Sequence, residues 1–285
     1  MSSQSIAINA EAGQVGTVSE LTGIFESIAS MRIGKIKDRV TRSQIFFAEL
    51  WKIYTQLRVD PSERLTGKNG PKRDKPNVFL ALTSEGGLSG DIDSRIVRTV
   101  MQNIDPKTTD LIVIGAHGAT QFVQNHAQIK RYFRLPDVDQ AIDVSPIVEE
   151  LIGYKKPTVW FQRYVSLSVQ EVGRIDLLGR VRSLGSDAEA TDADIISARQ
   201  YLFEPTVDDV VRYLESVMME IALSQVILES RLAQYASRFT AMSSAKKRAK
   251  DLQLSLVMAY NRAKRGEADE RIKEIVNAMS SMHVS

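Results

Sequence analysis

The 285 residues carry 37 Lys and Arg against 35 Asp and Glu, a formal net charge of +2 that leaves any basic behaviour local rather than global. With 43% hydrophobic and 25% charged residues the composition is that of an ordinary globular chain, large enough for one big domain or two modest ones, and the lack of cysteine excludes disulfides, thiolate metal sites and cysteine nucleophiles. No uninterrupted apolar run of about 18 residues is present, so no membrane-spanning helix is expected, and the opening MSSQSIAINAEAGQVG, with Glu11 and neither a basic nor an apolar region, reads as neither a secretory signal nor a mitochondrial transit peptide.

The first predicted element is a long amphipathic helix. Thr17 with Glu20 makes a capping box, and Leu21, Ile24, Phe25, Ile28, Met31 and Ile36 follow at helical spacing. The pattern continues through IFFAELWKIYTQL to Leu57. Gly23 and Gly34 weaken it by about 1 kcal/mol each relative to alanine. Leu65 to Pro76 (LTGKNGPKRDKP) reads as a linker. The character then changes. Asn77 to Thr83 is a short apolar run that breaks at Gly86-Gly87, and Asp110 to Gly115 is a second that ends at Gly118. Each precedes a helical pattern, Ile92 to Met101 and Thr120 to Ile129, and Pro157 to Phe161 supplies a third strand. Strands alternating with helices predict βαβ units and a mostly parallel, Rossmann-like sheet. Leu184 to Asp194 reads as a polar loop.

All eight prolines lie between Pro61 and Pro205, and from Thr206 to Ser285 Gly266 is the only glycine. Eighty residues with so little punctuation predict one very long helix. Thr206 and Asp209 mark its start, and Val207, Val210, Val211, Leu214, Val217, Met218 and Ile221, then Leu228, Leu232, Tyr235, Phe239 and Met242, give it an apolar stripe suited to a coiled-coil seam. The economical partner is the N-terminal helix, paired antiparallel. The expected division is therefore 1–64 and 206–285 as coiled-coil helices with 65–205 as an α/β domain.

Three segments invite chemistry. Thr83 to Gly90 (TSEGGLSG) follows a strand and opens a helix, where phosphate-cradling loops occur, yet it is not GxGxxG, GxxxxGK[ST] or GxSxG; it reads as a tight turn that needs glycine. His117 lies in a second strand-end loop, with no acidic residue spaced to orient it and no metal-ligand pattern with His126. Lys246, Lys247, Arg248, Lys250, Arg262, Lys264 and Arg265 form a basic stretch. It suits a solvated face or an acidic protein partner better than nucleic acid, because no aromatic platform beyond Tyr260 interleaves with it.

Taken together, these segments resemble the gamma subunit of F-type ATP synthases along nearly the whole chain. Glu229-Ser230 and Ala236 to Met242 (ASRFTAM) resemble the family's ES…ARMxAM run, Tyr260 to Lys264 its YNRAR, and Glu274 to Val276 its EIV. Tyr201 to Pro205 resembles the yxxEP entry to the last helix, TSEGGLSG the family's TSDRGLCG, IGAHG its IGxKG, and Thr22 to Arg32 stands where relatives have TKAMxMVAASK. The resemblance implies a non-catalytic central-stalk rotor without cofactor. Its coil tip would enter the ring of alternating alpha and beta subunits, its foot would sit on the c-ring beside the epsilon subunit, and catalysis would belong to the beta subunits. The setting implied is the cytoplasmic face of a bacterial plasma membrane, peripherally bound and without nucleic acid. By the same resemblance Phe25, Arg32, Arg238, Met242, Lys264, Arg265 and Asp269 are the positions that touch the ring.

The chain departs from the family pattern in places. Arg265 and Asp269 replace the glutamine and threonine after YNRAR, Gly86 replaces the arginine of SDRG, and Ala245 to Ala249 (AKKRA) stands where relatives have ATDNA. These mark a divergent member and leave open an alternative or N-type rotary ATPase not used for synthesis. Two rival readings stand beside it: an α/β enzyme with helical oligomerisation arms, built on the GGLSG and His117 loops, and a coiled-coil adaptor that binds nucleic acid through Lys246 to Arg265.

Overall fold

The computed structural model describes residues 3–56, 75–134, 143–177, 179–181, 183 and 207–282. Helix α1 runs Ser3–Gln56, and helix α5, Val207–Met282, continues without a break through Gly266. Between them lie β1 (Asn77–Leu82), α2 (Ile92–Asn103), β2 (Thr109–Ile114), α3 (Ala116–Gln124), β3 (Ile129–Phe133), α4 (Ser145–Ile152), β4 (Pro157–Tyr164) and β5 (Gln170–Asp176). The chain forms two compact units, residues 1–28 with 239–285, and residues 29–238.

The larger unit holds a five-stranded sheet of order β3-β2-β1-β4-β5, in which β1 to β4 run parallel and β5 antiparallel. Side chains alternate strictly across it, as pleating requires. Phe79, Ala81, Leu111, Val113 and Trp160 face one way, onto Ile96, Val97 and Val100 of α2 and Phe122 of α3. Val78, Leu80, Leu82, Ile112, Ile114, Val159 and Phe161 face the other. There they meet α4, Phe47 and Tyr54 of α1, and Val211, Leu214, Met218, Met219, Ala222, Leu223, Val226 and Ile227 of α5. The sheet is thus seated directly on the paired terminal helices, which form its second covering layer. Farther along the pair, Ile36 of α1 packs with Leu228 and Leu232 of α5.

In the smaller unit α1 and α5 again pair antiparallel, through small residues. A Cβ at Gly16 would stand 2.5 Å from Gln253 Nε2, and one at Gly23 would stand 3.3 Å from Lys246 Cε. Lys246 Nζ donates to Glu26 at 3.0 Å. Hydrogen bonds from Lys246 and Ser243 hold the Glu26 carboxyl below its ordinary range.

Several boundaries differ from expectation. Thr17 does not start α1, which is already helical from Ser3; its hydroxyl donates to the Gly13 carbonyl at 3.2 Å, a back-bond open to threonine inside a helix. The second crossover helix ends at Gln124 rather than Ile129, because His126 turns left-handed (φ 60) and Ile129 begins β3. β3 (IKRYF) gives no strand signal in the sequence, because an edge strand buries little and its charges mask the alternation. β5 carries Gly173, against which Phe161 packs so closely that a Cβ would come within 2.9 Å of its ring, and that glycine interrupts the apolar pattern. The segment 65–74, the polar loop 184–194 and the capping Thr206 lie outside the described residues.

Candidate functional site

In a doubly wound sheet, ligands bind in the crevice outside the carboxyl ends of the strands, where the strand order reverses. Here that point lies between β1 and β4, since β1 to β2 steps one way and β3 to β4 the other. The crevice is occupied by the protein itself. Its hub is Asp93 in the first turn of α2, whose side chain is 2% exposed. The Ser84 amide donates to Asp93 Oδ1 at 3.1 Å and Gln162 Nε2 donates to the same oxygen at 2.9 Å. Asp93 Oδ2 accepts from the Ser84 hydroxyl and from His117, whose Nδ1 lies 2.7 Å away.

The network continues into α5. The Ser230 hydroxyl donates to Gln162 Oε1, and Gln234 Nε2 lies 3.2 Å from both Gln162 Oε1 and Ser230 Oγ. Two turns on, the Ser237 hydroxyl donates to the Ser89 carbonyl at 2.6 Å. Arg238 Nη2 reaches the carbonyls of Gly86 (3.3 Å) and Gly87 (3.1 Å) and the hydroxyl of Ser89 (3.1 Å), with its guanidinium over the Tyr235 ring at 5.4 Å. One face of α5 thereby stitches down the loop 84–90. The loop pays for this in backbone strain, since Leu88 adopts φ 67, a left-handed conformation that costs a non-glycine residue roughly 1–2 kcal/mol.

Glycine is required where the two strand-end loops meet. Gly115 has φ 105, and a Cβ there would sit 2.3 Å from the Thr83 carbonyl oxygen; a Cβ on Gly118 would sit 2.2 Å from Thr83 Cγ2. In the space so closed, Thr83 Oγ1 donates to the carbonyls of Ile114 (2.7 Å) and Gly115 (3.1 Å), and the Ala116 amide donates to Glu85 at 3.2 Å.

The expectation that His117 has no acidic partner is corrected by this geometry. Asp93, 24 residues upstream, orients it across the crevice. Opposite an accepting carboxylate, Nδ1 is the protonated ring nitrogen. The arrangement still does not make a nucleophile, because the Ser84 hydroxyl lies against the carboxylate and the Gly86 carbonyl and not against the imidazole. Asp93 is a hub that collects donors, not a relay that passes a proton. A cavity of about 20 Å³ lies where the ends of β1 and β2 (Leu82, Ile114) meet Ser230, Arg231 and Gln234 of α5, room for about one water. Among the described residues no three His, Asp or Glu side chains converge on a metal-binding point, and no helix is long and apolar enough to cross a membrane.

Of the positions singled out by resemblance, Arg238 joins this network. Arg32 is half-buried on α1. In the smaller unit Phe25 is 39% exposed, whereas Met242 is only 6% exposed and packs inward. Lys264, Arg265 and Asp269 are exposed on α5, beyond Gln253 where it meets Gly16. Within the basic stretch Lys247, Arg248 and Lys250 face solvent, while Lys246 is taken by Glu26. Asp93 and Gln162 had no signal in the sequence. They lie 69 residues apart, and only the parallel crossover brings them together.

A family model described as ATP synthase matches residues 6–282. Among curated proteins, the ATP synthase gamma chain of Mesoplasma florum is 23% identical over 276 residues, covering 93% of this chain and 94% of its own. That of Chloroherpeton thalassium is 25% identical over 298 residues, covering 95% of each. Among solved structures, a chain of the Euglena gracilis mitochondrial ATP synthase in rotational state 3 superposes with a TM-score of 0.64 at 16% identity, covering 98% of this chain and 95% of that one. A chain from the central stalk and c-ring of the Tetrahymena thermophila enzyme gives 0.56 at 17% identity, covering 79% and 99%. Terminal helices paired beneath a sheet whose ligand crevice one of them fills, under a match that runs almost from end to end, place the chain in the ATP synthase gamma family.

Proposed function

We propose that the chain is the central-stalk rotor of a bacterial F-type ATPase. In this role it couples rotation of a c-ring to conformational change at catalytic sites carried by other subunits. The observation that carries the proposal is the match from residue 6 to residue 282, which takes in both terminal helices and the α/β domain between them. The crevice geometry supports it and counts against the α/β-enzyme reading: where an enzyme of this topology keeps space for a ligand, this chain has placed Ser230, Gln234, Ser237 and Arg238 of its own long helix. An α/β domain clamped in this way is suited to turn with the helix rather than to bind and release a substrate.

The partners that follow are the alpha and beta subunits of the catalytic ring, an epsilon subunit and the c-ring, at the cytoplasmic face of the plasma membrane. Segments 1–64 and 206–285 serve as the shaft and 65–205 as its mount. Ring contact falls to Phe25, Arg32, Lys264, Arg265 and Asp269, with Met242 holding the helix pair from within and Arg238 securing the loop 86–89. The exposed cations Lys247, Arg248 and Lys250 suit an acidic protein surface. Proton or sodium transport belongs to the assembled machine.

The test is co-expression of a tagged full chain with alpha and beta subunits of its host. A complex whose ATP hydrolysis turns a probe on the chain supports the proposal. Recovery of the chain without alpha or beta subunits, from the recombinant mixture and from host membranes alike, would refute it.

A further inference from the structure

The inner stripe of α1 against α5 runs Ile36, Val40, Ser43, Phe47, Leu50 and Tyr54, alternating steps of four and three residues. Such a stripe repeats every seven residues, so sliding α1 by one heptad, about 10 Å, would again set apolar side chains against apolar side chains. An apolar seam of this kind fixes the pairing of two helices but not their register.

Two polar features break the repeat. Tyr54, with no exposed surface, donates its hydroxyl to Glu215 Oε1 at 3.0 Å, and that carboxylate is 8% exposed. Gln225 is 5% exposed, and neither its amide nitrogen nor its amide oxygen has a hydrogen-bond partner among the described residues. Counting antiparallel from the Tyr54–Glu215 contact, Gln225 lies ten residues along α5 and falls opposite the Ser43–Gln44 step, ten residues back along α1. Gln44 is exposed, whereas Ser43 is half-buried and is the one small polar residue of the inner stripe. An amide buried without partners is a cost that a leucine would avoid. A retained polar group at a seam position has its best-attested use in setting register.

We infer that Tyr54–Glu215 and the Ser43–Gln225 layer are register pins, which hold α1 at a single axial position on α5. A slip of one heptad would set Gln225 against Ile36 or Leu50, and the slip that brings Phe47 opposite Glu215 would leave that carboxylate facing an aromatic ring. The inference concerns the helix pair alone and stands or falls separately from the identity of the complex.

Because the full chain has no cysteine of its own, engineered pairs report register directly. Val40→Cys with Leu228→Cys, drawn from one packed cluster, reads the native register. Val40→Cys with Ile221→Cys, or with Tyr235→Cys, reads a slip of one heptad in either direction. A slip displaces the pair far beyond the Cβ separation of about 4 Å that a disulfide tolerates. In the otherwise unchanged chain only the native pair should close under mild oxidation. Combining Gln225→Leu with Tyr54→Phe should raise closure of the slipped pairs by about tenfold or more, while Gln225→Leu alone should raise Tm by about 3–8 °C. Gln225→Met serves as a second variant if leucine overpacks the site. Slipped pairs that stay open in the doubly substituted chain would overturn the inference, as would a Tm that falls with both Leu and Met at position 225.

Discussion

Replacing Asp93 tests whether the filled crevice holds the α/β domain to the helix. In Asp93→Ala three donors lose their acceptor at once, the Ser84 amide, Gln162 Nε2 and His117 Nδ1, while the Ser84 hydroxyl keeps the Gly86 carbonyl at 2.8 Å. The imidazole, which is 35% exposed, can turn to water or change tautomer. The buried amide and Gln162, which has no exposed surface, cannot move as freely. Two donors left buried at roughly 1–3 kcal/mol each, with a small loss of packing, place the cost at about 3–5 kcal/mol, at the upper end for one substitution. At about 2–4 °C per kcal/mol for a chain of this size, Tm should fall by roughly 6–20 °C. Asp93→Asn keeps the volume and offers one acceptor oxygen, so its loss should be about a third to a half as large. Amide exchange locates the effect: protection should drop at residues 84–90 and around Gln234 to Arg238, and persist in β2 and α3. A Tm within about 1 °C of the unaltered chain, or exchange unchanged in the loop, would show that the apolar seat alone holds the domain and that the hub does nothing.

Four further outcomes follow from the same geometry. Gly115→Ala should lower Tm far more than Gly86→Ala, because its Cβ meets the Thr83 carbonyl at 2.3 Å in a left-handed backbone while Gly86 has open space; equal effects in thermal melts would contradict the close approach of the two loops. Arg238→Lys cannot reach all three of its acceptors with one ammonium, so amides of 86–90 should exchange faster with little change in β1 or β2; uniform exchange would count against the stitch. Burial raises the Glu229 carboxyl above its ordinary value of 4.5, against the attraction of Arg180 and Arg163. A carboxyl with a raised native pKa destabilises the fold as pH climbs through the interval above 4.5, so Glu229→Gln should be the more stable chain at pH 7, with the advantage vanishing at pH 4; a less stable variant at pH 7 would reverse the sign. Ionising Tyr154 is opposed first by burial and then by its bond to Asp110 at 3.1 Å, so its phenol should not titrate with the exposed tyrosines on an absorbance titration up to pH 11 unless the chain unfolds.

What the sequence made legible was periodicity and punctuation. The long helices were readable because the sixty residues before Pro61 and the eighty after Pro205 lack proline and leave few alternatives, and β1, β2 and β4 because they are buried on both faces and so spell continuous apolar runs. β3 and β5 were not, because edge strands of this sheet satisfy half their backbone and expose most of their side chains. The site was illegible for a different reason. Ser84, Asp93, Gln162, Ser230 and Ser237 are ordinary polar residues, and nothing local separates them from a solvated surface. Their meaning comes from contacts that span 69 residues for Gln162–Asp93 and 148 for Ser237–Ser89, which only the tertiary fold closes.

The two ways in which the domain is held to α5 have different physics, and the difference bears on a rotor. The apolar seat between the sheet and Val211 to Ile227 contributes through area, is non-directional, and resists separation better than it resists sliding. Hydrogen bonds are directional, and the polar groups of the crevice would be left unmet by a displacement of a few ångströms. Ser230, Gln234, Ser237 and Arg238 lie just beyond the apolar seat along α5, so the helix meets the domain first through area and then through direction. A shaft that must carry its mount round without slip needs the second kind of contact as well as the first. The crevice of a doubly wound sheet is a place where backbone and side-chain groups already converge. Filling it with a helix in place of a ligand turns a recognition site into a fixing point, and accounts for an α/β domain of enzyme-like topology whose strand-end crevice is bridged by side chains of its own long helix.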